Sequence, residues 1–120
     1  MKTVLVVEDQ EDNRQILRDL LSNAGYEMFE AENGAAALTA VADKRPDLIL
    51  MDIQLPIMDG YEATRRLKAD PNTKSIPIIV VTSYALSGDE SKARAAGCDG
   101  YVTKPYSPRA LLAKIKEYLP

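Results

Sequence analysis

The 120-residue chain contains no histidine and a single cysteine. Without histidine there is no Ser-His triad, no Cys-His pair and no His-ligated zinc, so carboxylates, hydroxyls and lysines must carry any chemistry. A lone Cys98 cannot form an internal disulfide. The surrounding "GCDG" offers neither base nor cation, so the thiol reads as buried or inert. No apolar run approaches the roughly 20 residues of a membrane span, and the amino terminus lacks a signal-peptide cleavage site. The expected location is the cytoplasm, with no membrane insertion. A net charge of -3 is too mild to indicate a partner and has the wrong sign for a nucleic-acid surface. Neither G-x-G-x-x-G nor a Walker lysine pattern occurs, which excludes dinucleotide and P-loop readings.

What is present is an ordinary globular core. Hydrophobic residues make up 46%, and a chain of this length buries roughly two-thirds of its unfolded surface in one domain. "TVLVV" (3–7), "DLILM" (47–51) and "IPIIVV" (76–81) read as buried strands, "YEMFEA" (26–31) and "CDGYVT" (98–103) as weaker ones. Between them fall helical stripes. Ile16, Leu17, Leu20 and Leu21 form the first, Leu38, Val41 and Ala42 the second, Ala63, Thr64 and Leu67 the third, and Leu111, Leu112, Ile115 and Tyr118 the last. A further helix before Gly97 rests mainly on Ala93 and Ala96. Gly25 and Gly97 stand where helices end. Ser87 with Glu90, and Asp59 with Glu62, have capping-box spacing, and Ser107-Pro108 supplies an N-cap with proline behind it. Five strands alternating with five helices, with no linker or repeat, predict an α/β sandwich around a parallel sheet.

Right-handed crossovers put every carboxyl end of such a sheet on one edge. There "VLVV" runs into Glu8-Asp9, "LILM" into Asp52, "IIVV" into Thr82-Ser83 and "GYVT" into Lys104-Pro105. Singly, each has a bland reading: Asp52 can cap a turn, Glu8-Asp9 can open a helix, Thr82 suits a strand, Lys104 can be solvated. Jointly, chance is a poor explanation. Two like charges about 4 Å apart repel by roughly 4 kcal/mol near a protein surface, so three acids must shift their pKa values or bind a cation. All-oxygen ligands suit Mg²⁺, which also accepts phosphate oxygens. A carboxylate beside Mg²⁺, a lysine and a hydroxyl is equipment for receiving a phosphoryl group, with Asp52 as nucleophile. A flavodoxin-type FMN site fits poorly, because "EDQEDN" repels a metal-free phosphate.

The ordered set "VVED", "LILMDIQLPIMDG", "VVTSYA" and "YVTKP" resembles the receiver domain of two-component response regulators over essentially all 120 residues. The resemblance implies a flavodoxin-like (βα)5 three-layer sandwich with strand order 2-1-3-4-5. It implies Asp52 as phosphoacceptor, with Asp9, Asp52 and the Gln54 backbone carbonyl on Mg²⁺ and Glu8 acting through a metal-bound water. Thr82 matches the switch hydroxyl, Lys104 the phosphate-contacting lysine and Tyr101 the switch aromatic; the Lys104-Pro105 bond is expected cis. Glu8 and Ser83 are mild departures, and Gln54 and Tyr84 lie where the family tunes dephosphorylation.

The implied phosphodonor is a phosphohistidine on a histidine kinase or histidine phosphotransfer protein, which a histidine-free chain cannot supply for itself. The chain stops after its fifth helix, so the expectation for residues 1–120 is a single receiver domain without a DNA-binding output domain. Output would pass to a downstream protein through the face of the fourth helix, fifth strand and fifth helix. Alternatives remain: a receiver excised from a hybrid sensor kinase, a small Mg²⁺-dependent aspartyl-phosphate phosphatase, or a pseudo-receiver. Gln54 stands where the phosphatase wants a second acid, and the pseudo-receiver's usual loss of an acid, threonine or lysine has not occurred.

Overall fold

Beginning at its amino end, the chain forms β1 (Thr3–Val7), α1 (Glu11–Asn23), β2 (Glu27–Ala31), α2 (Gly34–Lys44) and β3 (Leu48–Met51). It continues through α3 (Gly60–Ala69), β4 (Ile78–Thr82), α4 (Asp89–Ala95), β5 (Gly100–Thr103) and α5 (Pro108–Tyr118). The computed structural model describes residues 1–83 and 89–119. All four strand pairs are parallel, and the sheet order is β2-β1-β3-β4-β5.

The unbroken apolar runs of β1, β3 and β4 follow from burial on both faces. Val4, Val6, Leu48, Leu50, Ile79 and Val81 pack with Leu17 and Leu21 of α1 and Leu111 and Ile115 of α5. The alternate residues Leu5, Val7, Ile49, Met51, Ile78 and Val80 pack with Ala37 and Val41 of α2, Ala63 and Leu67 of α3, and Ala93 of α4. A one-residue slip of any strand would exchange the two cores.

The helix faces differ from the expected stripes in detail. On α1 the buried positions are Arg14, Leu17 and Leu21, while Ile16 is 56% exposed. Ala42 on α2 is exposed and Leu38 half-buried. A helix lying on a sheet covers a narrower strip than a cluster of four neighbouring apolar residues spans. Strand β4 starts two residues later than expected, because Pro77 has no N–H to give. Its carbonyl still accepts from the Ile49 N–H at 2.9 Å. Strand β5 likewise starts at Gly100, since the Cys98 N–H is spent on the Ala93 carbonyl at 3.2 Å. Cys98 is buried and unpaired, and burial pushes its thiol pKa up, as an inert cysteine requires.

Gly25 and Gly97 have φ of 88° and 106° just past α1 and α4, the left-handed ending expected of them. Ser107 Oγ accepts from the Ala110 N–H at 3.0 Å. Asp59 caps α3 through the Glu62 N–H at 2.9 Å, but the reciprocal half of that box is missing. The Glu62 carboxylate is held by Arg65 at 2.8 Å and Arg66 at 2.7 Å instead. Asn33, whose side chain accepts from the Ala36 N–H at 2.7 Å, caps α2. The expected Ser87 cap and the Tyr84 position lie outside the described residues.

Candidate phosphoacceptor site at the carboxyl edge of the sheet

Glu8, Asp52 and Lys104 each stand one residue past the end of a strand, and Thr82 is the last residue of β4. The sheet still holds their main chains. The Glu8 N–H donates to the Ala31 carbonyl at 3.0 Å, Asp52 N–H to the Val7 carbonyl at 3.0 Å, and Lys104 N–H to the Thr82 carbonyl at 2.7 Å. Side chains with chemistry are thereby mounted on backbone as rigid as the sheet itself. Gly60 lets α3 close against the same edge. A Cβ there would collide with the Asp52 carbonyl oxygen and lie 2.8 Å from Ile53 Cα.

Carboxylate oxygens of Glu8, Asp9 and Asp52 lie within 4.8 Å of one another. Glu8 is buried, Asp9 exposed and Asp52 between, so the cluster has one open side. Lys104 Nζ reaches Glu8 Oε1 at 2.8 Å and Asp52 Oδ2 at 3.7 Å. Glu8 Oε1 also accepts from Asn13 Nδ2 at 3.2 Å, and Oε2 from the Gln10 N–H at 3.1 Å. One Asp52 oxygen accepts the Ile53 N–H at 2.7 Å, leaving the other turned toward Lys104.

The electrostatics follow from that packing. Burial pushes Asp52 up to about 6; Lys104 opposes the rise and the neighbouring Glu8 charge adds to it. Asp9 is also raised, by desolvation and by Glu8. Burial works against ionising Glu8, but hydrogen bonds from Lys104 and the Gln10 N–H outweigh it and hold that carboxyl below its ordinary range. Lys104 resists the effect of its own burial through Glu8 and Asp52, so its pKa rises. Three acids facing one lysine leave negative charge in excess, and the donor set is hard oxygen throughout. That chemistry fits Mg²⁺.

Thr82 is buried at 1% exposure. The β4–β5 register pairs Val80 with Tyr101 and Thr82 with Thr103. Thr82 therefore shares a sheet face with Val80 and Tyr101, and Tyr101 packs on the core layer that contains Ala93 of α4. Gln54 is exposed in the β3–α3 connection, and the Lys104-Pro105 bond is cis. Arg14, Asn13 and Tyr106 also belong to the surroundings of the site, though no strand-end reading reveals them. Arg14 Nη1 donates to the Glu8 carbonyl at 2.7 Å, and Tyr106 lines a groove beside Glu8 and Lys104. A charged residue three and seven positions before Leu17 and Leu21, on their buried face, is the one sequence signal that marks Arg14.

The family model of the response regulator receiver domain matches residues 4–116. The chain belongs to the response regulator receiver family. It is 47% identical over 118 residues to the polar-differentiation response regulator DivK of Brucella anthropi, covering 98% of this chain and 96% of that protein. Among solved structures, the receiver domain of the sensor histidine kinase PA1611 of Pseudomonas aeruginosa PAO1 is 34% identical, with a TM-score of 0.91 over 98% of this chain and 97% of the other. That domain holds a magnesium ion coordinated in its active site cleft. The chemotaxis protein CheY4 of Vibrio cholerae is 30% identical, with a TM-score of 0.91 over 98% of each chain. This receiver is a two-component signalling protein, and its acidic cluster occupies the carboxyl edge of a CheY-like sheet. Among the described residues no helix is long and apolar enough to cross a membrane.

Proposed function

We propose that residues 1–120 form a single receiver domain, cytoplasmic in location, in which Asp52 accepts a phosphoryl group from a partner phosphohistidine. The observation that carries this reading is the convergence of Asp52 with Glu8, Asp9 and Lys104 at the carboxyl ends of β3, β1 and β5. Asp9, Asp52 and the Gln54 main-chain carbonyl would hold Mg²⁺, with Glu8 acting through a bound water. When bound, the ion neutralises the acids and supplies a positive centre for phosphoryl oxygens.

An Asp52 carboxylate oxygen attacks phosphorus, the bond to the donor imidazole nitrogen breaks, and the imidazole leaves with a proton from solvent. Lys104 then turns from Glu8 to the new phosphoryl oxygens, and the Thr82 hydroxyl donates to another. The chain promotes its own phosphotransfer and dephosphorylation and turns over no separate substrate. A groove of about 270 Å³ beside Glu8 and Lys104, walled by Ile16, Leu17, Pro105 and Tyr106, supports approach of a histidine kinase or histidine phosphotransfer protein there. The exposure of Ile16 then has a use.

Output follows from the shared face of Thr82 and Tyr101. Drawing Thr82 toward the phosphoryl group makes room beside it for Tyr101, whose phenol tolerates both an apolar pocket and water. The α4–β5–α5 surface changes with it, and a downstream protein reads that change without nucleic acid taking part.

Incubation with acetyl phosphate and Mg²⁺, followed by intact-mass measurement, tests the reading. One phosphoryl increment is expected, absent in Asp52→Asn and absent in excess chelator. A full-yield adduct on Asp52→Asn would overturn the assignment, and steady release of phosphate from many small esters would favour the phosphatase.

A further inference from the structure

Strand β2 ends at Ala31, so beyond Val7 the sheet edge has little left to hold the chain that carries the acids. The Glu8 N–H still reaches the Ala31 carbonyl. The Glu8 carbonyl, buried with the rest of the residue, takes its hydrogen bond from Arg14 Nη1 at 2.7 Å. Arg14 is itself only 6% exposed. Its other nitrogens are committed to carboxylates: Nε to Glu30 Oε1 at 3.0 Å, Nη2 to Glu11 Oε2 at 2.6 Å and to Glu32 Oε1 at 3.3 Å. A guanidinium is planar and forked, and each arm here points at a different element. One arm grips the Glu8 peptide, the others grip the end of β2, the residue beyond it and the first turn of α1.

We propose that Arg14 is a positioning residue for the cation site, its guanidinium acting as an added rung of the sheet that fixes the Glu8 peptide and so aims the carboxylates of Glu8 and Asp9. The inference rests on the reading of Glu8, Asp9 and Asp52 as the place where a divalent ion binds. Arg14 touches neither that ion nor the phosphoryl group. It acts through the main chain alone.

Charge and position make opposite forecasts, which is what makes the idea decidable. Arg14 is a cation near an acidic cluster. If its charge were all that mattered, replacing it by a neutral residue would tighten divalent-ion binding, because one repelling charge is gone. If it positions Glu8, the same replacement must weaken binding. Loss of an outer support of a metal site commonly lowers affinity by about ten- to a hundredfold. Arg14→Met keeps the packing of the apolar stem while deleting every donor. Arg14→Lys keeps the charge but gathers its donors on one shorter, point-like ammonium, losing the planar fork whose separate nitrogens hold the Glu8 carbonyl and Glu30 in fixed directions.

The experiment is titration of the metal-free protein with Mn²⁺ alone, followed by water-proton relaxation or the electron paramagnetic resonance of the free ion. Circular dichroism shows each variant folded, with sucrose added where needed. Arg14→Met should bind Mn²⁺ about tenfold more weakly than the unaltered protein, and Arg14→Lys at least about threefold more weakly. In acetyl phosphate reactions the Mg²⁺ concentration for half-maximal rate should rise while the rate at saturating Mg²⁺ holds. Tighter binding by folded Arg14→Met, or affinity within twofold of the unaltered protein in folded Arg14→Lys, overturns the proposal. Should Arg14→Met not fold, Arg14→Lys decides alone. Absence of Mn²⁺ binding by the unaltered protein would refute the cation site itself and this inference with it, an outcome distinct from unchanged affinity in the variants.

Discussion

Neutralising Asp52 should stabilise the metal-free protein, and by an amount that depends on pH in a defined way. The carboxyl is raised from an ordinary 3.8 to about 6, chiefly by burial. Its side chain is only 13% exposed, so solvent screening removes little of the effect. A displacement of that size corresponds to about 3 kcal/mol between the ionised and protonated forms. In the folded protein Asp52 keeps its proton until about pH 6, whereas the unfolded chain releases it near the ordinary value. Between those limits the native state binds more protons than the unfolded one, so this group makes stability fall as pH rises. Above the folded pKa the cost is complete.

Asp52→Asn has no such titration, and its amide oxygen can still accept the Ile53 N–H. In chelator, the variant should match the unaltered protein near pH 4 and exceed it by about 2–3 kcal/mol at pH 7. That is roughly 10 °C in melting temperature for a domain of this size. Urea unfolding followed by circular dichroism at a series of pH values measures it directly. Glu8 has the opposite sign, since its lowered pKa gives stability that is lost as pH falls, but it is present in both proteins. Mg²⁺ should narrow the gap by binding the unaltered native state. A difference that is flat from pH 4 to 7, or a variant less stable at pH 7, would refute the claim that Asp52 carries buried, poorly compensated charge.

Two further outcomes follow from the same geometry. Lys104→Met removes the cation from Glu8 and Asp52 together, and should cost about 1–3 kcal/mol in chelator, the usual penalty of leaving a buried hydrogen-bonding group without its partner; carboxyl carbon NMR should show Asp52 titrating at higher pH than before, and an unmoved Asp52 would contradict the 3.7 Å pairing. Gly60→Ala should destabilise by about 3 kcal/mol or more, because its Cβ meets backbone of Asp52 and Ile53 rather than a flexible side chain; thermal unfolding within about 1 kcal/mol of the unaltered protein would mean that α3 can slide away from the edge.

The fold was legible in the sequence because two-sided burial writes itself as unbroken apolar runs, and "TVLVV", "LILM" and "IIVV" are such runs. Boundaries were less so. Pro77 and Cys98 look like strand residues by apolarity, yet one lacks a donor and the other spends its donor on α4. The capping box at Asp59 was half right for a similar reason. Arg65 and Arg66 lie within reach of Glu62 and outcompete its own helix N-terminus, a rivalry that spacing alone does not rank.

The candidate site divides along the same line. That Glu8, Asp9, Asp52 and Lys104 meet is a consequence of topology, since every strand is parallel and every carboxyl end faces one edge. Which acid Lys104 prefers is a matter of reach. Glu8 carries one more methylene than an aspartate would, and it takes the ammonium at 2.8 Å while Asp52 stays at 3.7 Å. The lysine is thus parked on Glu8 rather than on Asp52, the proposed phosphoacceptor. Asp52 is left with raised pKa and one loosely held oxygen. The apolar period of α1 passes over Arg14, although a buried charge is the rarer and more informative event. Main-chain anchoring at the strand ends and a thin, alanine-faced α4 are therefore complementary features: the first holds the acids against their own repulsion, and under the proposed function the second is the element least costly to displace.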